Sequence, residues 1–338
     1  MKVFLKIVLL SISFWANAQR PASRLPDSLQ NYIDTVLNIV QARSLYTKQA
    51  DWTLIRDSAN RLAANAKNIQ DLMPAVEYIF TAIGDYHGGL TYRGQRYGMK
   101  PKEITVRDDL ATGWKLGPEV RIELLESGIA YISIPPIWAL TVEETTRYAQ
   151  QIQDSVCKLN RVGIRGWIID LRFNLGGNMY AMIGGLGNLI GDGVLGSFVE
   201  TNGKTTDFSL RQGDVFEGTK RWTNLRETCN VGAHPKIAVL LSQITSSSGE
   251  MLAISLKGRP LTRFFGENTA GYVTANDDPY FIDKNSMLLV ASANVRDRND
   301  KSYMEFVQPD VVIIDGDDFA DLKSDKKIKV SLDWLKGD

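Results

Sequence analysis

Ile237-Ala-Val-Leu-Leu-Ser-Gln-Ile-Thr-Ser-Ser-Ser-Gly-Glu-Met-Leu-Ala-Ile-Ser-Leu256 is an apolar run that passes through a serine-rich turn into a helical pattern. The run from 237 to 241 is short and unbroken, which predicts a buried strand. Residues 251–256 are apolar at helical spacing, and the polar residues before them are typical of a tight turn. The stretch is therefore predicted to be a strand–turn–helix unit.

The serine turn has two chemical interpretations. A serine at this point exposes its hydroxyl, and the following helix directs free N–H groups and its positive dipole end at a developing oxyanion. That arrangement predicts a nucleophile. Alternatively, Ser246, Ser247 and Ser248 only cap the helix, with Glu250 as the acidic residue of its first turn. The turn alone does not separate the two.

A second strand–turn–helix pattern lies upstream, in Gly166-Trp-Ile-Ile-Asp-Leu-Arg-Phe-Asn-Leu-Gly-Gly-Asn178. Its Gly-Gly turn lets backbone N–H groups approach a ligand closely. A helix from Met179 to Leu189 is predicted to follow. The alternative is an ordinary strand–turn–helix corner.

The chain has only two histidines, His87 and His234. His87 lies in the loop Gly84-Asp-Tyr-His-Gly-Gly89, after a segment from about Pro26 to Asp85 whose apolar spacing predicts helices. The flanking glycines leave the imidazole uncrowded, as a general base requires. The alternative is a purely structural histidine.

The first 18 residues predict a secretory signal peptide. A cationic start precedes an apolar core from Ile7 to Ala16, and Ala16-Asn-Ala18 is a small-x-small cleavage site. The apolar span is too short for a membrane anchor, and no cysteine follows it to carry a lipid. We therefore expect an exported bacterial protein, periplasmic or extracellular, with no stable membrane anchor.

Composition narrows the remaining classes. Lys plus Arg number 39 and Asp plus Glu also number 39, so no nucleic-acid partner is indicated. No Cys/His cluster has metal-ligand spacing, and we expect neither metal nor cofactor. In an oxidising compartment Cys157 and Cys229 could pair, but two cysteines are not a disulfide framework, and their pairing stays open.

Further strands and helices alternate along the rest of the chain. Strands are predicted at 128–134, 195–200 and 287–294, and an amphipathic helix at 141–159. The alternation indicates an α/β core of about 200 residues. We expect a signal peptide (1–18), an N-terminal helical region (19–86) and a catalytic domain (87–338).

In these features the chain resembles the tail-specific (C-terminal-processing) serine protease family, in its tricorn-core and retinoid-binding-protein-like branch. The resemblance implies a ClpP/crotonase-like superhelix of ββα units with a small N-terminal helical domain. It implies a peptidase acting on peptides or protein C-termini. It rests on five stretches in family order, which are Gly84-Asp-Tyr-His87, Gly128-Ile-Ala-Tyr-Ile-Ser-Ile134, Ile169-Asp-Leu-Arg-Phe-Asn-Leu-Gly-Gly177, Thr245-Ser-Ser-Ser-Gly-Glu250, and Gly266-Glu-Asn-Thr-Ala-Gly271 with Gln308-Pro-Asp310.

The resemblance also implies roles for single residues. The family nucleophile lies three residues before the acidic residue of the serine turn, which selects Ser247. His87 matches the histidine base of the tricorn-like members. The oxyanion donors would be the N–H groups of Gly176 or Gly177 and of Ser248.

Several positions depart from the family pattern. Tyr272 stands where lysine-dependent members keep their base, and Tyr86 replaces the serine before the histidine. The glutamate that completes the tricorn-like relay falls near Tyr303 and Glu305, and Asp85 is a substitute. We expect one of these three to contact the far ring nitrogen of His87, and the near nitrogen to lie within hydrogen-bond reach of the Ser247 hydroxyl.

The segment between His87 and Gly128 is too short for the PDZ insert of many members. Because the relay is incomplete by motif, an inactive peptide- or ligand-binding module on the same scaffold is the alternative function. A crotonase-like acyl-transferring enzyme is disfavoured, because no coenzyme A is expected outside the cell.

Overall fold

The structure is a computed structural model that describes residues 25–337 except 102, 161, 162, 227 and 233. The predicted signal peptide lies outside these residues. Among the described helices, none is long and apolar enough to cross a membrane.

Within the described residues the chain forms nine α-helices and seventeen strands. The helices are α1 (Asp27–Arg43), α2 (Trp52–Ala63), α3 (Met73–Ile83), α4 (Asp108–Trp114), α5 (Val142–Asn160), α6 (Met179–Gly185), α7 (Gly187–Ile190), α8 (Ser248–Leu256) and α9 (Lys326–Lys336). The strands are β1 (Gly89–Tyr92), β2 (Gln95–Tyr97), β3 (Ile122–Leu124), β4 (Ile129–Ser133), β5 (Gly166–Asp170), β6 (Gly193–Glu200), β7 (Thr205–Arg211), β8 (Asp214–Glu217), β9 (Lys220–Arg221), β10 (Lys236–Leu241), β11 (Thr262–Gly266), β12 (Ala275–Asn276), β13 (Tyr280–Asp283), β14 (Ser286–Leu289), β15 (Ala291–Asp297), β16 (Ser302–Tyr303) and β17 (Val311–Val312).

A six-stranded sheet of order β17-β11-β10-β5-β4-β3 forms the centre of the fold. Its strands run parallel except for β3. Ile169 and Val239 face the apolar cluster that contains α5, α6 and α8, whereas Ile168 and Leu240 face the cluster that contains α9. Because both faces of β10 are covered, its residues 237–241 are all buried and apolar, as the sequence predicted.

The N-terminal helices share an apolar core with a second sheet. Helices α1–α3 pack with the four-stranded sheet of order β13-β14-β1-β2. The helices predicted between 26 and 85 are confirmed, and α3 ends at Gly84, whose φ of 77° places it in the left-handed region. The boundary expected at residue 86 stays a prediction.

Two predicted elements are divided in the structure. The helix predicted from Met179 to Leu189 is interrupted at Leu186, where glycines lower helix propensity and Gly185 packs directly on Ile152. The strand predicted at 287–294 breaks at Val290, because β14 pairs with β1 while β15 pairs with β6 of a third sheet.

The third sheet has the order β12-β15-β6-β7-β8-β9, with β16 beside β15. The segment after β9 is joined to α5 by a disulfide between Cys157 and Cys229, 72 residues apart in sequence. The pairing that the sequence left open is therefore present.

Candidate active site

Three loops meet at the carboxyl edge of the central sheet. They are the Gly-Gly loop (171–178) after β5, the serine turn (242–248) after β10 and the Tyr272 loop (267–274) after β11. Leu240 of β10 lies opposite Asp170 of β5, and Leu241 lies opposite Gly266 of β11. Parallel pairing in this register brings the three loops side by side, at the edge where α/β sheets bind ligands.

Ser247 begins helix α8 and also presents its hydroxyl to His87. It is the N-cap residue of α8, and its N–H donates to Glu250 Oε2 at 2.8 Å. Its backbone adopts φ 52° and ψ −121°, a conformation that is strained for a residue other than glycine. Its Oγ lies 3.0 Å from His87 Nε2. The predicted contact between the serine hydroxyl and the histidine is confirmed.

The neighbouring serines use their hydroxyls differently. Ser246 Oγ donates to the carbonyl of Leu175 at 3.0 Å, and Ser248 Oγ donates to the carbonyl of Gly177 at 2.7 Å. Both hydroxyls tie the serine turn to the Gly-Gly loop. Of the three serines, Ser247 is the one whose hydroxyl contacts the imidazole.

His87 is carried by the loop between α3 and β1, which Asp85 fixes from within. The buried Asp85 carboxylate accepts the backbone N–H groups of His87 at 3.0 Å, Gly88 at 2.7 Å and Ala291 at 3.1 Å. The far ring nitrogen of His87, Nδ1, lies 2.9 Å from Thr274 Oγ1. With Nδ1 protonated and donating to Thr274, Nε2 is free to accept the Ser247 proton.

The expectation that Tyr303, Glu305 or Asp85 contacts the far ring nitrogen is wrong. Tyr303 donates its hydroxyl to Asp297 Oδ2 at 2.8 Å, and Glu305 lies exposed on the surface. Asp85 is close in sequence, but its oxygens are occupied by backbone N–H groups. Thr274 was not singled out from the sequence; its only signal is a hydroxyl two residues after Tyr272.

The surroundings of His87 favour its neutral form. Burial, and secondarily the charge of Arg96, lowers the pKa of His87 to about 4, although a hydrogen bond with the Thr274 backbone opposes the shift. Arg96 is held beside the loop by the carbonyls of Tyr86 and Gly88. The Tyr272 ring lies edge-on to the imidazole, with 5.4 Å between ring centroids. The ring is therefore neutral at neutral pH and its Nε2 lone pair is available, although a pKa this far below the working pH makes it a weaker base than an ordinary imidazole.

Fewer backbone N–H groups are available to bind an oxyanion than the sequence suggested. The N–H of Gly176 donates to Asn174 Oδ1 at 3.0 Å, so the alternative that placed Gly176 in the oxyanion site is wrong. Among the described residues, no acceptor lies on the N–H of Gly177 or of Ser248. The Ser248 hydroxyl bond to the Gly177 carbonyl holds these two peptide groups together.

Gly177 cannot carry a side chain in this position. Its φ is 109°, and an added Cβ would collide with the carbonyl oxygen of Ile137. Behind the loop, the buried Arg172 guanidinium binds Asp170, Asp317 and Asp325. The Gly-Gly loop is thus fixed from both sides.

Glu250 is buried behind Ser247. Its carboxylate accepts the N–H groups of Ser247, Gly271 and Tyr272 and the hydroxyl of Thr269. The sequence assigned Glu250 only two roles, as the acidic residue of the first helical turn and as the reference point that selects Ser247. No group of His, Cys, Asp or Glu side chains in the described part of the chain is arranged to hold a metal ion.

Known proteins share this architecture. The nisin-resistance protein of Lactococcus lactis subsp. lactis is 28% identical over 288 residues, which cover 85% of this chain and 84% of that protein. A lipoprotein from Streptococcus agalactiae superposes with a TM-score of 0.71 at 24% identity, over 98% of this chain and 99% of that one. The photosystem II D1 C-terminal processing protease gives a TM-score of 0.55 at 14% identity, over 88% and 96% of the two chains.

These likenesses confirm the predicted fold class, a ClpP/crotonase-like catalytic domain with an N-terminal helical region. Residues 128–313 match the model of peptidase family S41. That range contains the Gly-Gly loop, the serine turn and the Tyr272 loop. It spans more than half of the sequence, and the chain therefore belongs to peptidase family S41.

Proposed function

We propose that this chain is an exported serine peptidase that hydrolyses peptide bonds in peptides or at protein C-termini. The observation that carries the proposal is the contact of 3.0 Å between Ser247 Oγ and His87 Nε2, beside two backbone N–H groups that have no acceptor in the part of the chain that the structure describes. A nucleophile, a base and oxyanion donors are the parts that acyl transfer requires.

The proposed mechanism follows from these positions. Ser247 Oγ attacks the scissile carbonyl while His87 Nε2 takes its proton. The N–H groups of Gly177 and Ser248 stabilise the oxyanion of the tetrahedral intermediate, and the imidazolium then protonates the leaving amine. Water hydrolyses the acyl-enzyme by the same route. Thr274 keeps the imidazole in the required tautomer throughout.

Apolar side chains beside the oxyanion donors support a peptide as the substrate. Ile137 pairs with Gly177, and the segment after it exposes Trp138 and Leu140, with Leu175 of the Gly-Gly loop nearby in sequence. Exposed apolar side chains next to a reactive centre are typical of a surface that receives a ligand.

Export is supported by the predicted signal peptide and by the disulfide, which persists in oxidising compartments. The relative named for nisin resistance makes nisin a suitable member of a substrate panel. We include it as a test compound beside unmodified peptides.

The alternative is an inactive peptide-binding module on the same scaffold. One observation favours it, since a neutral hydroxyl rather than a carboxylate lies against His87 Nδ1. An imidazolium that lacks a carboxylate partner is less stabilised, and its proton transfer is slower.

A fluorophosphonate probe separates the two functions. We expect the mature protein to be labelled at Ser247 and Ser247→Ala to be unlabelled, with hydrolysis reduced by roughly a thousandfold or more. Ser246→Ala is the matched control and should keep most of the labelling. Peptide binding without any labelling of the wild type would support the binding module instead.

A further inference from the structure

One buried carboxylate connects two of the three loops at the site. Glu250 Oε2 accepts the N–H of Ser247 at 2.8 Å and the N–H of Tyr272 at 2.7 Å. Its Oε1 accepts the N–H of Gly271 at 2.9 Å and the hydroxyl of Thr269. The serine turn and the Tyr272 loop therefore share a single anchor.

This arrangement uses both oxygens of the carboxylate as acceptors. An ionised carboxylate offers acceptor sites on both oxygens and has no proton of its own. A glutamine at this position would direct the NH₂ group of its amide at backbone N–H donors. A protonated carboxyl would likewise direct its O–H group at a donor. The three backbone N–H groups cannot rotate away, so the site requires an ionised acid.

The anchored residues determine the catalytic geometry. Ser247 is held in a strained backbone conformation, and its N–H bond to Glu250 is one of the contacts that maintain it. Tyr272 leads within two residues to Thr274, which contacts His87 Nδ1. We propose that Glu250 is a positioning residue, whose ionised carboxylate keeps Ser247 aligned with the Thr274–His87 pair. The proposal rests on the proposed peptidase function.

The surroundings of Glu250 predict how the geometry of the site should depend on pH. Burial raises the pKa of Glu250 to about 7, against the effect of its four hydrogen bonds. The titratable groups nearest to it are the phenols of Tyr86 and Tyr272, which stay neutral in this range, and His87 beyond Ser247. Arg96 is the cation beside His87 and Tyr272. Protonation of Glu250 should thus loosen the site well above the pH at which His87 becomes charged.

The first test uses the wild type and does not depend on activity. In ¹⁵N-labelled protein between pH 4 and 9, we expect the amide resonances of Ser247, Gly271 and Tyr272 to move together, with one midpoint near that of a ¹³C-labelled Glu250 carboxyl. If these amides do not follow the titration of Glu250, the proposal is overturned. Because no substrate is used, this result stands even if the chain hydrolyses nothing.

The second test uses Glu250→Gln and Thr269→Val. We expect kcat to fall by roughly a hundredfold in Glu250→Gln with KM nearly unchanged, since small misplacements of reacting groups have effects of this size. The acid-side inflection near pH 7 should disappear from the kcat profile. Thr269→Val removes one of the four donors and should give a smaller loss of about tenfold or less.

The matched control is Asp297→Asn, which changes another buried carboxylate. Asp297 accepts hydrogen bonds from Asn299, Lys301 and Tyr303 in and beside its own turn. Asp297→Asn should alter thermal stability without altering kcat or its pH profile. Wild-type kcat and an unchanged profile in Glu250→Gln would overturn the proposal. Absence of hydrolysis in every variant, including the wild type, would instead refute the proposed function.

Discussion

Thr274 Oγ1 lies 2.9 Å from His87 Nδ1, on the side of the ring away from Ser247. A hydroxyl oxygen here accepts a hydrogen bond from Nδ1–H and fixes the tautomer, but it carries no negative charge to stabilise an imidazolium. In the mechanism that we propose, the relay is therefore Ser247–His87–Thr274, with a neutral third member.

Replacing Thr274 should show how much its hydroxyl group contributes to catalysis. We expect Thr274→Val to lower kcat by about tenfold to a hundredfold, because Nδ1 loses its hydroxyl partner while the side chain keeps its shape. Thr274→Ser retains the hydroxyl and should stay within a few-fold of the wild type. Steady-state kinetics on one peptide substrate measure both, and equal activity in the two variants would contradict the relay.

Much of this site could be predicted from local patterns. Ser247, His87 and the Gly-Gly loop each lie in a distinctive short motif, and parallel strands necessarily bring the ends of β5 and β10 together. The apolar runs also predicted the central sheet, because a strand buried on both faces has no polar positions.

Thr274 could not be predicted in the same way. It lies 187 residues from His87 in sequence. The two meet only because the loop between α3 and β1 packs on the Tyr272 loop. A threonine in a loop has no pattern that distinguishes it from a surface residue. Likewise, the sequence does not show that Asn174 occupies the Gly176 N–H, which decides between the two glycines.

Tyr272 stands where some relatives keep a lysine base, and its replacement is informative. Burial raises the pKa of the Tyr272 phenol further above its ordinary value, so it is a poor base at neutral pH. We expect Tyr272→Phe to lose only a few-fold in kcat and His87→Ala to lose a thousandfold or more. The reverse order, measured with the same substrate, would indicate a tyrosine-based mechanism.

Gly177→Ala should lower kcat strongly by disturbing the proposed oxyanion donor. The new methyl group would collide with the Ile137 carbonyl and displace the Gly177 N–H. Removal of one such donor lowers kcat by roughly a hundredfold or more. Gly203→Ala is the matched control, since Gly203 also has a positive φ, of 87°, but open space around it. A comparable loss of kcat in both variants would refute this explanation.

The disulfide should matter for stability and not for chemistry. Cys157–Cys229 closes a loop of 72 residues, for which loop-closure entropy predicts about 4 kcal/mol of stabilisation. We expect Cys157→Ser with Cys229→Ser to lower the midpoint of urea unfolding while fluorophosphonate labelling at low urea stays unchanged. Loss of labelling in the folded double variant would show that the disulfide also shapes the site.

The low pKa of His87 should make the folded protein lose stability in acid. Its pKa is about 4 in the fold and 6.5 for an exposed imidazole. Between these values the unfolded chain binds a proton that the folded chain does not, so the free energy of unfolding falls as pH falls from about 6.5 to 4. Each pKa unit corresponds to about 1.4 kcal/mol, and the loss can reach a few kcal/mol.

His87→Gln isolates this contribution, because Glu250 acts in the opposite direction. The pKa of Glu250 rises from 4.5 to about 7 on folding, so the folded chain binds the extra proton between these values and gains stability as pH falls. Urea unfolding of the wild type and His87→Gln at pH 7 and pH 4.5 cancels the Glu250 term in the difference. We expect the wild type to lose stability relative to the variant on acidification. A difference that is independent of pH would mean that His87 titrates normally in the folded protein, and that the imidazole is not the buried neutral base that the mechanism uses.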